Sequence, residues 1–361
     1  MAHDFSKFRV AFVAPCPYGE RVQEGWMSRI AAVDAIFGDG PRLYVHLGSH
    51  HSKADGEIIH DHGDGLHEIC LNVTEHAHRD TIGSLLDHVR FLYVHTVHLA
   101  EFVAPWLDTG KIVVDFHGVV PEEETMLGRP ELAPKYEVIE QQVLEGAMAC
   151  VMVSQAMQEH YIAKYPQLSP RRCIILPIVE AMEAESRGRR DGELPVRVVY
   201  AGGTQAWQNL DAMLGVARSS QSVGRFRFLS HDHELIRRRA AELGIQEGIE
   251  CLFSPKSRLA AEYAAADFGF ALRDDSPVNR VSSPTKIFEY LQCGVIPIVR
   301  SPRLGDFQSL GYRYVTEEEF SSGLFPDSSS RAWMIDDNLG VARKLRDRFR
   351  IGAAELIALR G

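Results

Sequence analysis

Cysteine is scarce and scattered, with six in 361 residues at positions 16, 70, 150, 173, 251 and 293, and no C-x-x-C pair among them. That speaks against a disulfide-stapled secreted scaffold and against a zinc ribbon. Thiols set in apolar stretches, such as Cys150 between Ala149 and Val151, read as reduced, buried residues of a cytoplasmic protein. Long hydrophobic runs are missing too: none approaches the roughly 18 residues a membrane span needs. The first nine residues are polar and lead straight into a strand, so no signal peptide is expected. Nor is there a basic excess. The 39 Lys and Arg face 49 Asp and Glu, a formal charge of −10, which excludes a chain-wide electrostatic hold on nucleic acid or anionic lipid and leaves room only for a local basic patch.

What is present is a globular composition, 45% hydrophobic and 24% charged, in a chain long enough for two domains. Short Val-, Ile- and Phe-rich runs at residues 8–14, 42–47, 90–95, 111–115, 149–153 and 173–177 alternate with helical stretches, notably 26–37 and 134–148. Strands alternating with helices argue for a parallel sheet. The charged stretch 180–194 has no apolar period and reads as an interdomain linker or, alternatively, a surface loop. The pattern then restarts, with strands at 196–201, 225–229, 249–253, 268–272 and 295–299. The boundaries expected are therefore an N-terminal domain over 1–179, a linker over 180–194, a second domain over 195–337, and a helical tail over 338–361 that crosses back to the first. The fold class is α/β, with two Rossmann-like β/α/β domains facing across a cleft at the carboxyl ends of two sheets, where ligands of this class bind.

Three segments carry chemistry. In NRVSSPTKIFEYLQCGVIPIV, residues 279–299, a loop feeds a helix. Ser283 suits the N-cap and Pro284 the first helical position. A helix N-terminus, here with Thr285 in its first turn, offers unpaired N–H groups and a positive dipole end to a diphosphate. Lys286 is unfavourable there unless an anion is bound, and Glu289 lies nearly one turn on, suited to ribose hydroxyls. A well-capped helix with a solvated Lys and Glu is the plainer alternative. In YAGGTQAWQNLD, residues 200–211, Gly202 and Gly203 after a strand let a ligand approach the backbone, as they would equally make a tight turn. In DFHGVVPEEE, residues 115–124, His117 follows a strand at its carboxyl end, where it can bond a sugar hydroxyl or a leaving phosphate.

The first of these segments resembles the donor-site signature of the retaining GT-B glycosyltransferases of family 4, in which Ser-Pro-x-Lys-x-x-Glu-Tyr leads to a glycine and a following Pro-Ile or Pro-Val. The glycine loop at 202–203 and the His-Gly at 117–118 have counterparts in that family. The likeness is closest over 196–299 and looser over 111–161. It implies a transferase that moves a sugar from a nucleoside diphosphate sugar to a hydroxyl acceptor with retention, in polysaccharide or glycan biosynthesis. It implies His117 and Lys286 as catalytic residues, Lys286 on the diphosphate, Glu289 on the ribose, and Gly202, Gly203, Ser283, Pro284, Thr285 and Arg280 around the donor. The acceptor would be a growing glycan, free or lipid-linked, near residues 18–29; a lipid-linked one would bring peripheral contact with the inner membrane face. No cofactor, no metal and no nucleic acid partner are expected.

The chain departs from the family at three positions. Val281 stands where many members have a first glutamate, and Gly203 and Gln208 stand where many have cations. Lys286, with Arg280 or Arg273, would have to compensate. These departures keep open a nucleotide-sugar-binding or scaffold protein without transfer, and a sugar-nucleotide epimerase remains as a third reading. The 16 histidines, with pairs at 60 and 62, at 76 and 78, and at 95 and 98, match no tight zinc spacing. The pair His231 and His233 follows a strand and stands near the expected nucleotide or in a solvated loop.

Overall fold

The computed structural model describes residues 3–19, 25–38, 40–168, 170–180, 182 and 194–359. Most of the expected linker, at 181 and 183–193, and residues 20–24 of the expected acceptor segment lie outside the described residues. The chain forms two compact units, one of residues 1–177 with 348–361, the other of residues 178–347.

The first unit is built on β1 (Val10–Val13), β2 (Arg42–Gly48), β3 (His60–Gly63), β4 (Leu66–Asn72), β5 (Phe91–His95), β6 (Ile112–Phe116), β7 (Ala149–Met152) and β8 (Cys173–Ile175). The sheet order is β3-β4-β2-β1-β5-β6-β7-β8, parallel throughout except for β3, which runs antiparallel to β4 with a register shift between Asp61 and Gly63. β1, β5, β6 and β7 are buried at every position, as strands covered on both faces must be, which is why they read as unbroken apolar runs. One face packs Phe12 against Tyr44, stacked at 4.9 Å, and gathers Ile30, Val33, Val151, Leu356 and Leu359 into one core.

The second unit has β9 (Val196–Ala201), β10 (Gly224–Leu229), β11 (Ile249–Leu252), β12 (Phe268–Ala271), β13 (Ile296–Val299) and β14 (Val315–Thr316). They are parallel and ordered β11-β10-β9-β12-β13-β14. Tyr200, Phe226, Phe228, Phe268 and Phe270 fill one face of this sheet. The helix Thr285–Gln292 covers the other region through Ile287, Phe288 and Leu291, which pack on Val341, Ala342 and Leu345.

The last helix runs Ser328–Ala358, beginning ten residues before the expected tail because its first turns, opening on three serines, carry no apolar period. Asn338 on this helix is fully buried, and its amide brackets the backbone of Arg313, accepting from its N–H at 2.7 Å and donating to its carbonyl at 3.0 Å. No helix among the described residues is long and apolar enough to cross a membrane.

Candidate functional site

In the second unit the site grows from the carboxyl end of β9 and the start of the helix Thr285–Gln292. The expected capping is corrected. Pro284, not Ser283, is the N-cap, with extended backbone (φ −66°, ψ 115°), and no side chain caps the helix. The Ser283 hydroxyl instead accepts from the Ile178 N–H at 3.3 Å. Among the described residues the first-turn N–H groups, beginning with Thr285, therefore have no side-chain acceptor at the positive end of the helix.

Lys286 leans over the ring of Tyr200, its Nζ 3.8 Å from the ring centre, and donates to Gln208 Oε1 at 3.3 Å. The glycine at 202 is what admits it: a Cβ there would lie 2.7 Å from Lys286 Nζ. Gln208, standing where a cation was looked for, instead holds the Lys286 cation in place. Lys286, Arg273 and Glu289 each keep some exposure, yet protein crowds each enough to shift its titration. Burial, with Arg273 adding repulsion and Glu289 opposing it, pushes the Lys286 ammonium well below its ordinary value. Burial also lowers Arg273, whose only side-chain hydrogen bond among the described residues is a long one, 3.4 Å to Asn279 Oδ1. Neither cation has a described carboxylate within 4.0 Å. Two crowded cations, one of them in the first turn of a helix whose N-terminus has no side-chain cap, are chemically suited to a polyanion.

Glu289 Oε2 accepts from the Tyr263 hydroxyl at 2.7 Å, and Oε1 accepts nothing among the described residues. Burial raises Glu289, with Glu180 adding to it and Tyr263 and Lys286 opposing. Gly203 serves locally: its carbonyl accepts from the Tyr200 hydroxyl. Arg280 is engaged elsewhere, in a two-pronged pair with Asp275 at 2.6 and 3.0 Å. Of the two arginines weighed against the missing cations, Arg273 is the one electrostatically linked to Lys286. His231 and His233 part company. His233 starts a helix and contacts the Ser230 carbonyl at 3.2 Å, while His231 lies 4.5 Å from the half-exposed ring of Phe253 at the carboxyl ends of β10 and β11.

In the first unit the carboxyl end of β6 carries a second constellation. Asp115, fully buried, is gripped by Arg29 through Nε at 3.0 Å and Nη2 at 3.1 Å. Burial would raise its carboxyl, but Arg29 and then His117 override this and hold it far below its usual range. With Asp115 ionised, His117 Nε2, 3.2 Å from Oδ2, carries a hydrogen toward it, and a neutral His117 then has Nδ1 as its acceptor. His95 Nδ1 is also 3.2 Å from His117 Nε2. Burial, with help from His117, keeps His95 well below its ordinary value and so neutral.

The helix after this loop, Val120–Met126, adds a residue that the sequence reading left unassigned. Glu123 folds back over Gly118, where any Cβ would lie 1.7 Å from Oε1. Its acidic neighbours are each held by a partner: Glu122 through Oε1 by Lys164 at 2.9 Å, Glu124 by Arg129 at 2.6 Å, and Glu140 by the hydroxyls of Tyr161 and Tyr165 at 2.6 and 2.9 Å. Glu123 has no ion pair among the described residues. Burial and the charges of Glu122, Glu124 and Glu140 push its carboxyl up to about 7. Three glutamates in a row gave no hint of which one would be stranded. Tyr263 and the Arg29–Asp115 pairing were equally invisible, since each is recruited from a distant element, whereas Arg273 had been named only as one of two arginines that could compensate for the missing cations.

No protein-family model matches the chain, and no curated protein matches it. Solved structures do. A sucrose-phosphate synthase from Thermosynechococcus elongatus superposes with a TM-score of 0.68 at 12% identity, over 97% of each chain. A UDP-forming α,α-trehalose-phosphate synthase from Burkholderia vietnamiensis gives 0.66 at 11% identity, over 98% of each. Anabaena HepE, solved in complex with UDP and glucose, gives 0.67 at 12% identity, over 97% of this chain and 100% of its own. Likeness at this identity establishes the fold. The chain has the GT-B fold, with two parallel-sheet units matched over nearly its whole length.

Proposed function

We propose that the chain is a glycosyltransferase that uses a nucleoside diphosphate sugar. The observation that carries the proposal is the pair of crowded cations, Lys286 and Arg273, at an uncapped helix N-terminus with no described carboxylate to neutralise them. A diphosphate there relieves their repulsion and favours the charged form of Lys286. Glu289 Oε1 is open to a ribose hydroxyl, with Tyr263 fixing the other oxygen, and the half-exposed ring of Phe253, 4.5 Å from His231 and tilted 39° to it, offers an aromatic face to a base. The fold supports the same reading, since its structural neighbours include a protein solved with UDP and glucose and one bound with UDP-2-fluoro glucose.

The transfer we infer proceeds with retention. The leaving diphosphate oxygen, its charge held by Lys286, Arg273 and the helix amides, takes the proton of the acceptor hydroxyl as that hydroxyl bonds to the anomeric carbon. The protein supplies positioning and electrostatic stabilisation of the leaving group. His117, its ring oriented by Asp115, offers Nδ1 to a sugar hydroxyl. Glycan biosynthesis, with a glycan or lipid-linked glycan as acceptor, is the setting we propose. No divalent ion is needed. The nearest acidic pair is already engaged, Asp274 by Asn209 and Arg300 and Asp275 by Arg280 and Arg303.

A second reading, nucleotide-sugar binding without transfer, draws on Gly203 and Gln208 replacing cations and on Val281. One experiment separates the readings: incubation with a panel of UDP-, GDP- and ADP-sugars, with and without EDTA, scoring thermal shift and product. Free nucleoside diphosphate released equally with and without EDTA is the expected result. A thermal shift alone would favour the binding protein, a new sugar nucleotide an epimerase, and EDTA-sensitive release would overturn the metal-free mechanism.

A further inference from the structure

The first unit has a second concentration of histidine, away from the carboxyl end of β6. His46 lies on β2 near its carboxyl end, and His50 and His51 follow in the loop that leaves the strand. One ring nitrogen from each lies within 4.8 Å of the other two. The rings of His46 and His51 stand edge to face at 4.6 Å, and those of His50 and His51 are 4.0 Å apart. Three imidazoles packed this closely in water repel one another once protonated, so the arrangement needs a reason.

Three features supply it. His51 Nε2 is buried without a hydrogen-bond partner among the described residues, a cost that a bound cation would remove. Glu68, on the neighbouring strand β4, stands behind His46. Its Oε1 is 3.6 Å from His46 Nδ1, and the carboxylate is further fixed by the Cys16 N–H at 2.9 Å and by His62 at 3.2 Å. A carboxylate behind the inner nitrogen of a histidine orients the outer one toward a metal and makes it more basic. Finally, Gly48 makes the fold-back possible, since a Cβ there would meet His50 at 2.5 Å and His51 at 3.1 Å.

We propose that His46, His50 and His51 bind a divalent transition metal ion, with zinc the best fit to an all-imidazole donor set, and that Glu68 is the outer partner that orients His46. Imidazole nitrogen suits Zn²⁺, Ni²⁺ and Cu²⁺ and excludes Mg²⁺ and Ca²⁺, which take oxygen. Three protein ligands leave a fourth position for solvent. Two other trios among the described residues have metal-like spacing. His46, Glu68 and Cys70 share His46 with the proposed site, and there the Glu68 carboxylate is already taken up by the Cys16 N–H and His62. His95, Asp115 and His117 do not invite an ion in the same way, because the Asp115 charge is already neutralised by Arg29. The proposed ion ties the loop after β2 to its strand and has no part in the sugar-transfer reading.

The test is calorimetric titration of tag-free, chelator-treated protein with Zn²⁺ alone, followed by optical spectroscopy with Co²⁺. One ion per chain and an intense four-coordinate cobalt spectrum are expected. His50→Ala and His51→Ala, both in the loop, should weaken zinc by more than the roughly 10–100-fold that losing an outer partner costs. Gly48→Val should weaken it without removing any ligand, because the two rings are driven off the strand. His60→Ala and His76→Ala should leave it unchanged. No stoichiometric binding, a six-coordinate aqueous-type cobalt spectrum, or equal affinity in the folded His50→Ala and His51→Ala proteins would overturn the proposal.

Discussion

Lys286 carries a cost in the free protein that only an anion repays. Its folded value lies below the ordinary 10.5, chiefly through burial and then through Arg273, so the charged form is disfavoured by folding. The sign follows: at neutral pH the free protein is destabilised by this side chain, and the penalty fades only as pH rises toward 10.5, where both states lose the proton. Lys286→Met should therefore leave the melting temperature of the free protein unchanged or raised, while nucleoside diphosphate affinity falls by about 1.5–3 kcal/mol, the scale of a hydrogen bond to a charged group. Glu289→Gln, by contrast, keeps the Tyr263 contact and the shape of the pocket, and should cost less affinity than Glu289→Ala. Scanning calorimetry and isothermal titration on the three variants check this. A Lys286→Met protein that melts markedly lower yet binds nucleotide normally would make Lys286 a structural residue.

At the level of elements, what could be read from the sequence depended on how apolar each element is. β1, β5, β6, β7 and β12 are buried on both faces, as is β9 apart from the exposed Arg197, and their runs of Val, Ile and Phe were legible as strands. β4 was not, because its buried positions include His67 and Glu68; Glu68 is satisfied by partners from the loop after β1 and from β3, and no local pattern announces them. β14 has two residues, too few for any period. The helix Thr285–Gln292 was legible, but its cap was not, since whether a serine caps a helix or binds a distant amide is decided by tertiary contacts. The glycine loop, Lys286 and Glu289 were visible as motifs, whereas Arg273, Tyr263 and Arg29 reach their sites from other elements. The helix Val120–Met126 adds a pH-dependent consequence. Unfolded, Glu123 titrates near 4.5; folded, near 7. Below pH 4.5 it is protonated in both states. Between 4.5 and 7 the folded protein holds the extra proton, so its contribution falls as pH rises, and the penalty is complete above 7. Glu123→Gln should therefore melt higher than the parent at pH 8 and level with it at pH 4, and each 1 kcal/mol gained should appear as about 2–4 °C. A difference that does not change with pH would show that Glu123 is not held protonated by its neighbours.

Over the whole molecule, the helix Ser328–Ala358 belongs to two cores. Its Leu345, 2% exposed, packs in the second unit with Ile287, Phe288 and Leu291. Its Leu356, fully buried, packs in the first with Phe12, Ile30 and Val151. Removing either side chain leaves a cavity in a close-packed interior and should cost about 2–5 kcal/mol, but the two costs fall on different units. Hydrogen exchange separates them. Leu356→Ala should speed exchange of the amides of β1 and β7 while β9 and β12 stay protected, and Leu345→Ala should do the reverse. Leu345 also braces the helix that carries Lys286 and Glu289, so Leu345→Ala should weaken nucleoside diphosphate binding, and Leu356→Ala should not. The reasoning is that a helix N-terminus holds a diphosphate only if its amides are fixed before the ligand arrives, and what fixes them is the packing of Ile287 and Leu291 on Leu345. If both substitutions loosen both sheets equally, the chain unfolds as one cooperative block. In that case the division of its contacts at residues 177 and 347 describes its geometry without describing its stability.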